Sequence, residues 1–112
     1  MAGVIASDCC GVAKRTNIVP IKAMFKNGTG WTSDILRGLM SVYDYAVTND
    51  INQSDSVVAL SFIADDVSMI LDYAVAILHE LGFVVITAAG NDNTDACEVS
   101  PARSASVVTF HV

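Results

Sequence analysis

Two continuous apolar runs, residues 57–62 and 83–88, flank a segment whose apolar residues recur at helical spacing. That order constrains the fold more than any other feature of the chain. An uninterrupted apolar run of five or six residues, rich in β-branched side chains, reads as a strand buried on both faces. Two such strands joined by a helix form a βαβ unit, with the strands parallel and the crossover right-handed. The helix reads from about Val67 to Leu81. Asp65 or Asp66 can cap it, and Ile70, Tyr73, Ala74, Ile77, Leu78 and Leu81 form its apolar stripe. Gly82 supplies the left-handed stop.

The pattern extends in both directions. Residues 18–24 read as a short strand ending at a turn, Asn27-Gly28-Thr29-Gly30, with Pro20 marking an edge or a bulge. A helix follows, capped by Thr32 or Ser33, with Asp34 in its first turn and a stop at Asn49-Asp50. Its buried face reads as Ile35, Leu36, Leu39, Met40, Tyr43 and Val47. Residues 106–110 read as a last strand. The expected fold class is α/β, a parallel sheet with flanking helices, in one domain over residues 1–112. In such sheets ligands sit outside the carboxyl ends of the strands. That rule nominates residues 27–31, 61–65 and 88–93.

Composition says what this domain lacks. The chain is 53% hydrophobic and 16% charged, a high apolar share for 112 residues. The surplus reads as surface to be covered by further chain, or by a second copy. Net charge is −6 and only Lys14 and Arg15 are adjacent cations, so no basic stripe exists to neutralise phosphates and nucleic acid is not an expected partner. No stretch is apolar enough to span a membrane, because Asp72, His79 and Glu80 interrupt the richest region. The first residues carry no basic segment of a signal peptide.

Several smaller signals read as structural. Gly28 and Gly30 begin a dinucleotide-like pattern, but Ser33 stands where its third glycine belongs, so a nucleotide-binding loop ranks far below a plain βα turn. His79 reads as a helix-surface residue near a C-terminus, and His111 as a terminal residue without a site role. Cys9, Cys10 and Cys97 form no zinc pattern and read as three thiols, or one disulfide and one thiol. Two glycosylation sequons, at Asn27 and Asn52, bear on a secreted protein only. No serine lies in a nucleophile motif. Asn91, in an open turn after a strand, can point an amide into a cleft, where such a donor stabilises a developing oxyanion. By composition alone, Gly90-Asn91-Asp92 is an ordinary turn.

Motifs in register give the chain a family resemblance. Ala2-Gly3-Val4-Ile5-Ala6-Ser7, Gly11-Val12-Ala13-Lys14, Asn27-Gly28-Thr29-Gly30, Leu60-Ser61-Phe62, Ala88-Ala89-Gly90-Asn91 and Ser100-Pro101-Ala102 follow one another along the whole chain. Together they resemble the subtilisin-like serine proteases (peptidase S8), nearest the proteinase K and cuticle-degrading branch. The resemblance implies a partial subtilisin-like three-layer α/β fold. It implies that Asn91 is the oxyanion-hole donor, and that Ala88, Ala89 and Gly90 wall the pocket for the residue before the scissile bond. It implies that Gly28, Ser61, Phe62 and Ile63 hold an extended peptide substrate as an added strand, with Trp31 at a more distant subsite.

The departures from the pattern shape the functional expectation. Met1 stands just after the position of the family's catalytic His, and the Asp-bearing strand and Ser-bearing helix have no counterpart in these 112 residues. The chain is therefore expected to be a fragment of a secreted endopeptidase, a truncated reading frame or a decayed gene. It carries substrate-binding strands without a triad and is inactive alone. The alternative is a non-catalytic peptide-binding or interaction remnant, paired with the missing parts of the protease domain. Ile63-Ala64 replace the family's glycine pair, and Phe110-His111-Val112 replace its Val-Gly-Ala. No cofactor or metal is expected. The family often binds calcium, partly through carbonyls near Ala105 and Val107, but the carboxylate partner would lie beyond Val112. Unpaired sheet edges and uncovered apolar helices imply that the isolated chain is poorly folded or aggregation-prone.

Overall fold

Parallel pairing of the two apolar runs organises the molecule. The computed structural model describes residues 1–110; the reading of His111, and the last two positions of the Phe110-His111-Val112 departure, fall outside the described residues. β1 (Val57–Leu60) pairs in parallel with β2 (Val84–Ala88), in the register Val57↔Val84 through Leu60↔Thr87. β2 pairs in parallel with β3 (Val108–Phe110), Ile86 opposite Val108 and Ala88 opposite Phe110. The sheet order is β1-β2-β3. Two long helices accompany it, α2 (Thr32–Thr48) and α3 (Met69–Glu80), preceded by a short α1 (Ala2–Ala6) that the sequence pattern did not announce. The architecture is α/β with a three-stranded parallel sheet and helices.

The core lies between one face of the sheet and the two long helices. Val58, Leu60, Phe83 and Val85 meet Ile35, Leu39 and Ala46 of α2 and Leu71, Val75 and Leu78 of α3. Register explains the sharing: Val58 lies opposite Val85 and Leu60 opposite Thr87, so all four side chains leave the same face. The other face is open. Val57, Ala59 and Val84 are exposed, so the expectation of strands buried on both sides is corrected to one covered face on β1.

Both helix stripes are also corrected. In α3 the buried line is Leu71, Val75 and Leu78, while Ile70, Tyr73, Ile77 and Leu81 are exposed and Ala74 is half-buried. The helix is apolar nearly all round, so hydrophobic spacing alone fits two faces equally well. In α2 the buried residues are Ile35, Leu39 and Ala46; Met40, Tyr43 and Val47 face outward.

Caps explain the helix ends. Trp31, not Thr32 or Ser33, is the N-cap of α2; its carbonyl accepts the Asp34 and Ile35 N–H groups. Ser68, not Asp65 or Asp66, precedes α3, which starts at Met69 rather than Val67. Gly82 ends α3 as expected, at φ +102°, with Gly82 N–H donating to the His79 carbonyl and Phe83 N–H to that of Leu78. Those two bonds define a Schellman stop. Asp50, at φ +54°, ends α2 the same way, with Ile51 N–H donating to Ala46.

Residues 18–24 form no strand. Pro20 lacks a ladder donor, and the sheet offers this segment no partner. It lies against α2 instead. A side chain at Gly38 would meet Ala23 Cβ at 3.0 Å and Ile21 Cγ2 at 3.4 Å, so the missing side chain of Gly38 admits the segment.

Candidate functional site

The register decides which loops share an edge. Leu60 pairs with Thr87 and Ala88 with Phe110, so residues 61–64 and 89–93 leave the sheet at the same carboxyl end. Ala89 N–H donates to the Phe110 carbonyl at 3.0 Å, extending the ladder one step past β2. The chain then turns at Gly90, whose φ of +96° is a conformation that side-chain-bearing residues rarely adopt. Asn91 follows, exposed at the rim.

The two loops touch. A Cβ built on Gly90 would lie 2.8 Å from Ile63 Cδ1, with Cγ2 and Cγ1 at 3.8 and 3.9 Å. The Ile63 side chain therefore rests on the bare backbone of Gly90. Of the residues read as site-forming, Ser61 is exposed, Phe62 is half-buried against the core, Ala88 is half-buried and Ala89 is buried. Ser61, Phe62, Ile63, Ala88, Ala89, Gly90 and Asn91 thus gather at one edge.

Gly28 and Trp31 stand in a different unit. Phe25 N–H donates to Thr29 at 2.7 Å, and the Asn27 carboxamide oxygen accepts from the Thr29 N–H and hydroxyl, closing a tight turn. Gly28 sits at its tip at φ +85° with open space around it, and Trp31 is exposed at the mouth of α2. Among the described residues, no hydrogen bond joins this turn to residues 61–64 or 88–91. A depression of about 410 Å³ lies between residues 21–25 and α2, lined by Met24, Phe25, Asp34 and Arg37 among others. It shares no residue with the gathered edge.

Ser100 holds that edge in place, a role the sequence reading did not assign. It is fully buried. Its carbonyl accepts the Ala64 N–H at 2.8 Å, and its hydroxyl oxygen accepts the Ser68 N–H at 2.8 Å. One residue thus anchors the loop after β1 and satisfies an amide at the entrance to α3, where no side-chain cap exists. The local sequence, Glu98-Val99-Ser100-Pro101-Ala102-Arg103, carries no signal for this role, which depends on partners 32 and 36 positions away. Downstream, the Thr109 hydroxyl donates to the Ala102 carbonyl at 2.7 Å, tying the same segment to β3.

Just upstream, the Asp95 carboxylate accepts the Cys97 N–H at 2.9 Å and caps a short turn, Ala96–Glu98. That backbone bond holds the Asp95 carboxyl below its ordinary range, and the carboxylate in turn raises the Cys97 thiol. Near Ala105 and Val107 the chain bonds to itself, with Ser106 N–H on the Ser104 hydroxyl and Val107 N–H on the Ser104 carbonyl. Among the described residues, no three His, Cys, Asp or Glu side chains cluster. His79 lies exposed in the last turn of α3, the helix-surface position expected of it.

Comparison with known proteins gives these features a frame. No family model matches the chain. The subtilase-type proteinase psp3 of Schizosaccharomyces pombe is 39% identical over 97% of the chain. The extracellular serine proteinase of a Thermus species is 36% identical, also over 97%. The chain spans only 24% and 25% of those two relatives. The crystal structure of a cold-adapted subtilisin-like serine proteinase superposes on 96% of the chain with a TM-score of 0.83 and 38% identity, and the match covers 37% of that structure. Sphericase, at 19% identity and a TM-score of 0.77, shares the fold. By sequence and by fold, the chain belongs to the subtilisin-like serine proteinase family, and corresponds to one segment of that fold.

Proposed function

We propose that this chain supplies peptide-holding edges and one oxyanion donor of a subtilisin-like serine endopeptidase, and that it hydrolyses nothing alone. The observation that carries the reading is the meeting of residues 61–64 and 88–91 at one carboxyl edge, with Ile63 laid on Gly90. An extended peptide would add alongside the exposed backbone near Ser61 as a further strand, while Asn91 at the rim directs its amide toward the peptide carbonyl. Amide donation of this kind stabilises an alkoxide as it forms, and losing one such donor typically costs about 3–4 kcal/mol of barrier. It acts only once a nucleophile attacks. We assign none of the chain's serines, histidines or aspartates to a triad, so the bound peptide stays intact.

Gly28 and Trp31 would contact more distant parts of the peptide, from the turn before α2. Ile63 favours the second reading, a non-catalytic peptide-binding remnant. Its side chain occupies space over Gly90 that a substrate side chain would need, so this edge accepts peptide backbone more readily than a large side chain.

The purified chain is incubated with a chromogenic peptide, beside its Asn91→Ala variant. No release of chromophore by either supports the reading. Cleavage by the parent chain that survives Asn91→Ala overturns both the inactivity and the role of Asn91.

A further inference from the structure

Far from the gathered edge in sequence, the turn after α1 holds two thiols side by side. Cys9 and Cys10 are both exposed, and their Sγ atoms are 2.6 Å apart. The turn is fixed from several directions. Gly11 N–H donates to the Ser7 carbonyl at 2.9 Å, and Val12 and Ala13 N–H donate back to Val4 and Ile5 of α1. The Lys14 ammonium reaches the carbonyls of Asp8 at 2.9 Å and Cys9 at 3.5 Å. Gly11 is buried, and any side chain there would run into the backbone of Ser7. The Ser7 hydroxyl oxygen accepts the Cys10 N–H at 3.3 Å and lies 3.7 Å from Cys9 Sγ. The two sulfurs are therefore presented together on a constrained backbone, open to solvent.

The number of ligands selects what such a pair can take. Among the described residues no third His, Cys, Asp or Glu joins them, which is short of the four ligands of a structural zinc site. A direct disulfide needs a specific dihedral and Cβ spacing that adjacent residues in a tight turn meet poorly. A single thiophilic atom bridging the sulfurs escapes both limits. We propose that Cys9 and Cys10 form a vicinal-dithiol site for a trivalent thiophilic centre of the mono-substituted arsenical class, which is satisfied by two thiolates.

The step balances without any redox partner. In the hydrated arsenical, arsenic carries one organic group and two hydroxyls. The Cys9 thiolate attacks arsenic, an As–S bond forms, and hydroxide leaves with the Cys10 proton as water. The Cys10 thiolate then closes the ring, and the second hydroxide leaves as water with the proton first shed by Cys9. Arsenic stays trivalent throughout. The order follows from the thiols: Cys10 donating to Cys9 lowers the Cys9 pKa and raises its own.

The test uses phenylarsine oxide on the reduced full chain, read by intact mass. The expected result is one adduct per chain that excess 2-mercaptoethanol leaves in place and stoichiometric 2,3-dimercaptopropanol removes. Cys97→Ser retains that adduct, whereas Cys9→Ser and Cys10→Ser each lose it. All three cysteines are exposed, so serine leaves the fold intact. A monothiol-resistant adduct that survives either single replacement, or that Cys97→Ser abolishes, overturns the site. So does a chain with three titratable thiols and no adduct.

Discussion

The contact between Ile63 and Gly90 makes a quantitative prediction for Gly90→Ala. Two separable costs arise. The first is conformational: at φ +96° an alanine sits in a region that disfavours L-residues, at a cost of about 1–2 kcal/mol. The second is steric. The new Cβ would stand 2.8 Å from Ile63 Cδ1, while the other Ile63 carbons are at ordinary contact distance. Only the flexible end of the side chain must yield, by rotating off its preferred well at about 0.5–1.5 kcal/mol. Loss of chain entropy in the unfolded state returns about 0.4–1 kcal/mol. The net expectation is destabilisation of about 0.5–3 kcal/mol. Ile63→Ala removes the steric part and leaves the conformational part, so the double variant should be less destabilised than the sum of the singles by about 0.5–1.5 kcal/mol. The assay is urea unfolding followed by far-ultraviolet circular dichroism, because Trp31 is largely exposed and reports poorly on folding. Additivity of the two substitutions within about 0.3 kcal/mol, or a neutral Gly90→Ala, would refute the packing of Ile63 on Gly90 and the closed edge inferred from it.

Three further expectations concern the supports of the edge. Ser100→Ala leaves the Ser68 N–H without its acceptor and should cost about 1–3 kcal/mol, seen as a lower urea midpoint and faster hydrogen exchange at Ser68; an unchanged Ser68 exchange rate would contradict the anchoring role. Thr87 is fully buried and its hydroxyl has no partner among the described residues, so Thr87→Val, nearly isosteric, should raise stability by about 1 kcal/mol, and a loss of stability would reveal an unrecognised partner. The Asp95 carboxyl is held below its ordinary range by the Cys97 N–H, so the cap's contribution is complete above the unfolded aspartate pKa of about 3.9 and is lost as pH falls through the lower folded value. The Cys97 amide proton shift should titrate with its midpoint below that of an ordinary aspartate, and Asp95→Asn should abolish the titration; a midpoint at or above about 3.9 would disprove the cap.

What could be read from the sequence followed from how strongly each segment was determined. Continuous apolar runs with β-branched residues gave β1 and β2, since few other structures bury such runs. Gly82 marked the end of α3 because a left-handed stop is what glycine does best. The face of α3 was illegible: Ile70, Leu71, Tyr73, Ala74, Val75, Ile77 and Leu78 make it apolar nearly all round, and only packing against Val58 and Val85 selects the buried line. Residues 18–24 looked like a strand because they are apolar, yet a strand exists only where a neighbour pairs with it. At the candidate edge, residue identity pointed to Ser61–Ile63 and Ala88–Asn91, but the seating of Ile63 on Gly90 depends on a contact across 27 positions and the double anchor at Ser100 on bonds across 32 and 36, beyond any local pattern. The side-by-side sulfurs of Cys9 and Cys10 likewise emerged only once the turn after α1 was folded.

The central claim is that residues 61–64 and 88–91 form one peptide-receiving edge without hydrolytic power. Its most direct measurement is an amide chemical-shift titration of the isotopically labelled chain with an extended peptide, with the peptide's mass checked at the end. The account predicts shifts concentrated at Ser61–Ala64 and Ala88–Asn91, weakened by Ser61→Trp, with the peptide recovered whole. Shifts confined to the depression between residues 21–25 and α2, or recovery of cleaved peptide, would contradict it.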